Sequence, residues 1–410
     1  MVKNLVSEKW FFTASALFIV LMSICLYFEF YYIALLPIAL LMMWTSIYKL
    51  EFIFFAIVFF TPLSINLEEM KLGGIGMYLP TEPLLFGVLI LFIFKLISGR
   101  SIDYRIFRHP ISYIIYAYFG WMLLTTITSE MPLVSLKFIV ARMWFVATFY
   151  FIAAHLFQQI GIIKKYIYLY IFPLIGVIVY TIIRHSQYGF DKVSAHWVME
   201  PLFKDHTSYG AVLAMYFPIT IGFVMLRKQS LILRVFISIA ILILTIGLIL
   251  SFTRAAWISV VGAAGILAIM ALGIRLRTVL IATGIVGGLL VISWDDIKIA
   301  LESNKQESSD KLDEHVSSIS NVSSDASNLE RLNRWHCALE LFKERPIVGW
   351  GPGTYQFVYA PFQRSEDRTI ISTNQGDGGN AHSEYLGPLA EQGIFGSLIV
   401  ISLLLAICHY

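Results

Sequence analysis

Long apolar runs separated by short polar segments make up most of the chain. A membrane-spanning helix needs about 20 mostly apolar residues, and runs close to that length recur from one end of the sequence to the other. The candidates are residues 10–27, 31–48, 52–66, 83–99, 111–127, 138–157, 166–183, 208–226, 231–250, 255–273, 276–293 and 385–408. The pattern therefore predicts an all-α polytopic membrane protein with about twelve transmembrane helices.

One long polar segment divides the chain into three parts. Residues 1–293 carry eleven of the predicted helices and form a membrane body. Residues 294–381 form a long loop, and residues 382–410 form the final transmembrane helix. Within the loop, residues 302–328 are rich in Ser, Asp and Lys, which is typical of a mobile segment.

The second half of that loop carries a helical pattern. Ser327 and Glu330 have the spacing of a capping box. Apolar residues follow at helical spacing, namely Leu332, Trp335, Leu339 and Phe342. Pro346 and the turn-rich stretch 349–353 end the pattern. We expect an amphipathic helix whose apolar face packs on the outer mouth of the membrane body.

Lysine and arginine are distributed unevenly between the two sides of the predicted membrane body. With the N-terminus placed inside, fourteen fall on the cytoplasmic side and seven on the other side, leaving the long loop uncounted. Cytoplasmic loops carry an excess of these residues. The distribution predicts that both termini are cytoplasmic and that the loop 294–381 lies outside.

Composition supports the membrane class and excludes several functions. The chain is 58% hydrophobic and 14% charged, whereas soluble domains are about 25% charged. No phosphate-binding loop of the nucleotide-hydrolase type occurs, and no Asp-x-Asp pair that would indicate a metal-dependent sugar-nucleotide site. The predicted helices contain almost no Asp or Glu, which argues against an ion-coupled transporter. We expect no cofactor, no bound metal and no nucleic-acid partner.

Basic residues are predicted to gather on the outer side of the membrane. Arg254 stands between the ninth and tenth apolar runs, and Arg142 lies inside the sixth. The side carrying His382 also holds Arg184, Lys204 and His206. Such a cluster suits a membrane-bound anion, because arginine binds phosphate oxygens through paired donors. The alternatives are arginines that reach lipid headgroups and, for residues 204–210, a helix capped by Thr207 or Ser208.

His382 is the candidate for proton chemistry. It opens a predicted helix from Ser383 to Cys408, on a stripe that ends in Gly393 and Gly396. Glycines at this spacing let a neighbouring helix approach. The ordinary pKa of histidine, about 6.5, suits a general base at neutral pH. Residues 349–353 form either an anion-binding nest or a plain loop.

The stretch around His382 resembles the O-antigen ligase and polymerase superfamily of bacterial envelope proteins. His382 and Ser383, followed after nine residues by Gly393 and after two more by Gly396, match its late histidine motif. Residues 334–355 resemble its loop signature. Residues 254–258 resemble its Arg-x3-Leu motif, with isoleucine at the last position.

The resemblance implies a metal-independent glycosyltransferase at the outer face of the bacterial inner membrane. It would move a glycan from a polyprenyl (undecaprenyl) diphosphate carrier to a hydroxyl of a glycan or lipid A-core acceptor. His382 would be the general base and Arg254 would clamp the diphosphate. The predicted substrate-binding residues are Arg142, Arg184, Lys204, His206 and Arg334. The alternatives are a polymerase of lipid-linked repeat units, a membrane solute transporter and a non-catalytic scaffold.

Overall fold

The computed structural model describes residues 8–27, 50–66, 77–98, 102–226, 229–293, 326–364, 372 and 379–410. The predicted helix 31–48 and most of the Ser-rich segment 302–328 lie outside the described residues. Helices dominate what is described. A single antiparallel pair, β1 (Ile65–Asn66) and β2 (Tyr78–Leu79), is the strand structure in these ranges, with Ile65 opposite Leu79.

The helices follow the apolar runs in chain order. The first six are α1 (Glu8–Tyr27), α2 (Leu50–Phe60), α3 (Thr81–Ile97), α4 (Tyr104–Phe107), α5 (Pro110–Ile127) and α6 (Pro132–Leu156). Next come α7 (Ile160–Ser186), α8 (His206–Val224), α9 (Leu231–Leu250), α10 (Arg254–Ala271) and α11 (Leu276–Ile292). The last three are α12 (Ala326–Glu344), α13 (Tyr355–Val358) and α14 (Leu386–His409).

Seven of the described helices are long and apolar enough to cross a membrane, and they are α5 to α10 and α14. Shorter apolar helices lie at Ser15–Ile24, Leu50–Leu63 and Arg277–Leu289. The prediction of a mostly helical, polytopic membrane protein is confirmed. The count of twelve spans and the position of the long loop outside the membrane stay predictions.

The main core lies between α2, α3 and α6 to α9. Its centre consists of fully buried apolar side chains such as Ile57, Ile152, Leu174, Leu213 and Leu244. Inside α6, residues Ala147–Ile152 form a π-helical segment. Such segments often occur near functional sites. The helix α10 leaves most of its surface outside this core.

The helices α5 and α14 pack antiparallel over most of their length. At one end the ring of His109 lies 5.0 Å from that of Tyr410. Toward the other end Trp121 lies against Phe395, with 5.2 Å between ring centroids. This second end also carries residues 128–131, 346–364 and 379–385, and we call it the site end.

The helix α14 is broken at Gly393, which has φ 67° and ψ −166°. A Cβ atom there would lie 2.1 Å from the main-chain oxygen of Ile347. The glycine stripe predicted that a neighbouring helix would approach Gly393. The segment that approaches it is instead the loop at Ile347. The predicted start at Ser383 is also wrong, because the helix begins at Leu386 and His382 precedes it with φ 47°.

The helix α12 forms as predicted in the loop but buries a different face. Its buried residues are Glu330, Asn333, Arg334, Cys337, Ala338 and Leu341, which lie beside residues 381–390. The stripe expected to pack is exposed at Leu332, Trp335 and Leu339. At about 100° per residue it lies roughly opposite the buried face. The carboxylate of Glu330 accepts hydrogen bonds from Arg334 and Ser372, and the side chain of Ser327, the other member of the predicted capping box, lies outside what the structure describes.

Candidate functional site

A cavity of about 520 Å³ opens at the site end. The helices α5 and α6 supply one wall, and the loop 353–356 and residues 380–392 supply the others. Its lining consists of Tyr118, Phe138, Arg142, Gly353, Tyr355, Gln356, Asn380, Ala381, His382, Ser383, Glu384, Gly387, Pro388, Glu391 and Gln392. Aromatic rings, amides and a few charged groups thus face one space, as is typical of ligand sites.

His382 stands in a tight turn immediately before α14. Its backbone N–H donates to Asn380 Oδ1 at 3.1 Å. Ser383 Oγ accepts from the N–H of Leu386 at 3.1 Å and from that of Tyr385 at 3.3 Å. Ser383 therefore holds the turn that leads into α14. The residues on either side of His382 hold its backbone in place.

The surroundings of His382 favour its neutral form. Partial burial lowers its pKa, and the positive charges of Arg334 and Arg331 lower it further. The carboxylates of Glu330 and Asp205 act in the opposite direction. Because the net shift is downward, the imidazole is uncharged at neutral pH and able to accept a proton.

Arg142 reaches the same cavity from α6. It lies ten residues after Pro132 at the start of the helix, about 15 Å along its axis. Its guanidinium stands over the ring of Phe138, with 5.1 Å from Cζ to the centroid. The structure thus brings together two of the residues that the sequence placed on one side of the membrane.

Glu391 is a cavity residue that the sequence reasoning missed. Its Oε2 accepts from the N–H of Gly353 at 2.9 Å, and its Oε1 accepts from that of Tyr355 at 3.2 Å. The loop predicted as a nest or a plain loop therefore binds a carboxyl group that the chain itself provides. An acidic residue in an apolar run indicates function, and this signal was available at position 391.

A comparison with known protein families matches this part of the chain. Residues 239–401 fit the family model Wzy_C, described as O-Antigen ligase. The chain carries an O-antigen ligase domain. The match confirms the resemblance seen in the sequence, and it supports an O-antigen ligase-like membrane protein. No curated protein matches the chain.

The O-antigen ligase domain contains three of the predicted site residues, Arg254, Arg334 and His382. The other four precede it, namely Arg142, Arg184, Lys204 and His206. The cavity therefore combines a wall from the matched region with Arg142 and Tyr118 from the earlier membrane body. Within the described ranges, no three His, Cys, Asp or Glu side chains are grouped so as to hold a metal ion.

Arg254 and His206 form a second basic group, which does not line the cavity. Arg254 is the first residue of α10, and the preceding Thr253 donates through Oγ1 to the main-chain oxygen of His206 at 2.8 Å. The ring of His206 stacks on that of His196, with 4.2 Å between centroids. His196 is a neighbour that the sequence reasoning did not identify.

Asp205 connects this group with His382. It caps α8 by accepting from the N–H of Ser208 at 2.7 Å. The predicted cap at Thr207 or Ser208 is therefore wrong. The cap lies two or three residues earlier, at Asp205, whose carboxylate accepts the helical N–H of Ser208. Asp205 is also close enough to raise the pKa of His382 against the larger lowering effects. His382 thus shares the cavity lining with Arg142 and lies within electrostatic range of the Asp205 segment.

Two predicted substrate-binding arginines bind the protein itself. Arg184 donates to the main-chain oxygens of Val198, at 3.3 Å, and Glu200, and it stands over Trp197. Arg334 is 8% exposed and donates through Nε to Glu330 at 2.7 Å. Lys204 is exposed. Roles for these three residues in substrate binding stay predictions.

Proposed function

We propose that the protein is an O-antigen ligase-like glycosyltransferase acting at the outer face of the inner membrane. Its donor would be a glycan on a polyprenyl diphosphate, and its acceptor a hydroxyl of a glycan or of the lipid A core. One observation carries the proposal, namely that His382 and Arg142 line the same cavity. A neutral imidazole and a cation that face one cavity suit the transfer of a group from an anionic leaving group.

The proposed reaction is a single displacement at the anomeric carbon. The acceptor oxygen forms a bond to that carbon while the bond between the carbon and the diphosphate oxygen breaks. The hydroxyl proton passes to a ring nitrogen of His382, and the electron pair of the broken bond stays on the polyprenyl diphosphate. A positioned base contributes typically about 10²–10⁴-fold to such a step.

Arginine would stabilise the charge that develops on the leaving diphosphate. Fixed donors aimed at developing charge contribute strongly in a site that excludes water. Arg142 lines the cavity, and Arg254 begins a helix whose side chains are mostly exposed in the part of the chain that the structure describes. We assign the diphosphate to the side of Arg254, where the lipid chain can lie along α10, and the reacting sugar to the cavity with Arg142.

The second candidate function is polymerisation, in which the acceptor is another lipid-linked repeat unit. The family match covers both activities and favours an enzyme over a solute transporter or a non-catalytic scaffold. Glycan profiling of a deletion strain separates the two enzymes. Loss of polymer on lipid A with accumulation of lipid-linked polymer supports the ligase. Accumulation of single lipid-linked units overturns it in favour of the polymerase.

A further inference from the structure

Glu391 ties one loop to the last transmembrane helix through three hydrogen bonds. Its main-chain oxygen accepts from the N–H of Gly351 at 2.8 Å. Its two carboxylate oxygens accept from the N–H groups of Gly353 and Tyr355, at 2.9 and 3.2 Å. These are ordinary hydrogen-bond distances. Glu391 therefore supplies three of the hydrogen bonds that hold the loop 351–355 on α14.

Tyr355 extends the connection from this loop to α12. Its side chain is 2% exposed, and its hydroxyl donates to the main-chain oxygen of Arg334 at 2.7 Å. Its ring stacks on that of Tyr359, with 5.2 Å between centroids. Tyr359 in turn lies under the guanidinium of Arg334 at 5.7 Å. A shift of Tyr355 would therefore move the groups that hold Arg334.

Arg334 completes the path to His382. Its Nη1 donates to the main-chain oxygen of Asn380 at 3.2 Å, and Asn380 Oδ1 accepts from the N–H of His382 at 3.1 Å. His382 has φ 47°, a left-handed conformation that residues other than glycine seldom adopt. Such a backbone persists only where surrounding contacts enforce it.

We propose that Glu391 is a positioning residue for His382. Its carboxylate fixes Tyr355, Tyr355 and Glu330 fix Arg334, and Arg334 holds the turn at Asn380 that presents the imidazole to the cavity. The inference rests on the proposed function, in which His382 accepts the proton of the acceptor hydroxyl. In this arrangement Glu391 itself does not contact the reacting atoms.

Glu391→Gln is the first test. Glutamine keeps the size of the side chain but replaces one acceptor oxygen by an NH₂ group, which faces a backbone N–H. One loop N–H then lacks its partner. Because a misplacement of about 1 Å can cost about 10²-fold in rate, kcat should fall by up to that order while the KM for the lipid-linked donor changes little. Glu340→Gln, the same change on the outer side of α12, should keep the wild-type kcat.

A double variant shows whether Glu391 acts through His382. If it does, His382→Ala with Glu391→Gln should turn over as slowly as His382→Ala alone. Losses that multiply would overturn the positioning role while leaving the base assignment intact. Full turnover by His382→Ala would instead overturn the base and, with it, the positioning role.

Loop mobility provides a readout that does not depend on activity. A single cysteine at position 356, placed in a chain whose three native cysteines are replaced, should react faster with maleimide when Glu391→Gln is also present. Tyr355→Phe removes only the hydroxyl and should lower kcat in the same way without changing the donor KM. An unchanged labelling rate in a monodisperse Glu391→Gln protein that has lost turnover would overturn the inference.

Discussion

The indole Nε1 of Trp121 donates to the main-chain oxygen of Gln392 at 2.9 Å. This oxygen lies next to the break at Gly393, where the backbone of α14 leaves the helical conformation. The loop 346–350 bonds main-chain groups on both sides of the break. The N–H of Ile394 donates to the main-chain oxygen of Pro346, and the N–H of Trp350 donates to the main-chain oxygen of Ala390. An irregular backbone at membrane depth is tolerated where the protein itself provides such partners.

Trp121→Phe should destabilise the protein, because it removes the indole hydrogen bond to the main-chain oxygen of Gln392. The expected cost is about 0.5–1.5 kcal/mol in the free energy of unfolding. The measurement is thermal unfolding in detergent. Trp335→Phe, on the exposed face of α12, is the matched control and should have little effect. Equal unfolding midpoints for the two variants would contradict this account of the break.

Gly393→Ala should lower both stability and turnover. The added Cβ would meet the oxygen of Ile347 at 2.1 Å, and alanine would have to adopt φ 67°. The backbone term alone costs about 1–3 kcal/mol. Gly265→Ala is the control, because no heavy atom lies within 4 Å of its Cβ position. Wild-type unfolding and turnover in Gly393→Ala would show that the break is not needed.

The pH dependence of transfer should report the charges around His382. Since the base must be unprotonated, activity rises with pH through its pKa. That pKa is lowered, so the acidic limb should lie below about pH 6.5. Arg331→Gln removes one of the positive charges that lower the pKa of His382, so it should move the acidic limb to higher pH. Lys343→Gln, on the same helix, should leave the acidic limb where it is. A limb that stays in place or moves down in Arg331→Gln would contradict the assignment.

Arg254→Lys should lose most of the transfer activity. A lysine keeps the charge but cannot reproduce the paired donors of a guanidinium, and the loss of one fixed donor costs on the order of 10²-fold. The assay is transfer at matched protein level. Arg275→Lys, at the opposite end of α10, should retain activity. Near-normal product from Arg254→Lys would leave Arg254 with a role in membrane anchoring only.

Long apolar runs in the sequence predicted the membrane class. The distribution of Lys and Arg between those runs predicted the orientation, which placed His382 and Arg142 on the same side of the membrane. It did not predict the break in α14, because Gly393 fits a helix-packing motif as well as a left-handed turn. The two cases differ only in what approaches the glycine, which is here the backbone of Ile347. That contact is set by tertiary structure.

The packed face of α12 and the role of Glu391 were missed for a related reason. Leu332 and Trp335 have a strong apolar signal, whereas the face that packs is built around small or polar residues such as Cys337, Ala338 and Arg334. Glu391 sits in a run that reads as apolar. Its partners are backbone N–H groups of a distant loop, which no spacing along the sequence reveals.

Turnover by His382→Gln shows whether His382 is the general base. Glutamine keeps much of the size and some hydrogen bonding but cannot take up a proton at neutral pH. In a reconstituted assay with purified donor and acceptor and with EDTA present, the variant should lose about 10²–10⁴-fold in turnover while still binding the lipid-linked donor. Full turnover by His382→Gln would contradict the account and leave the arginines as the catalytic candidates.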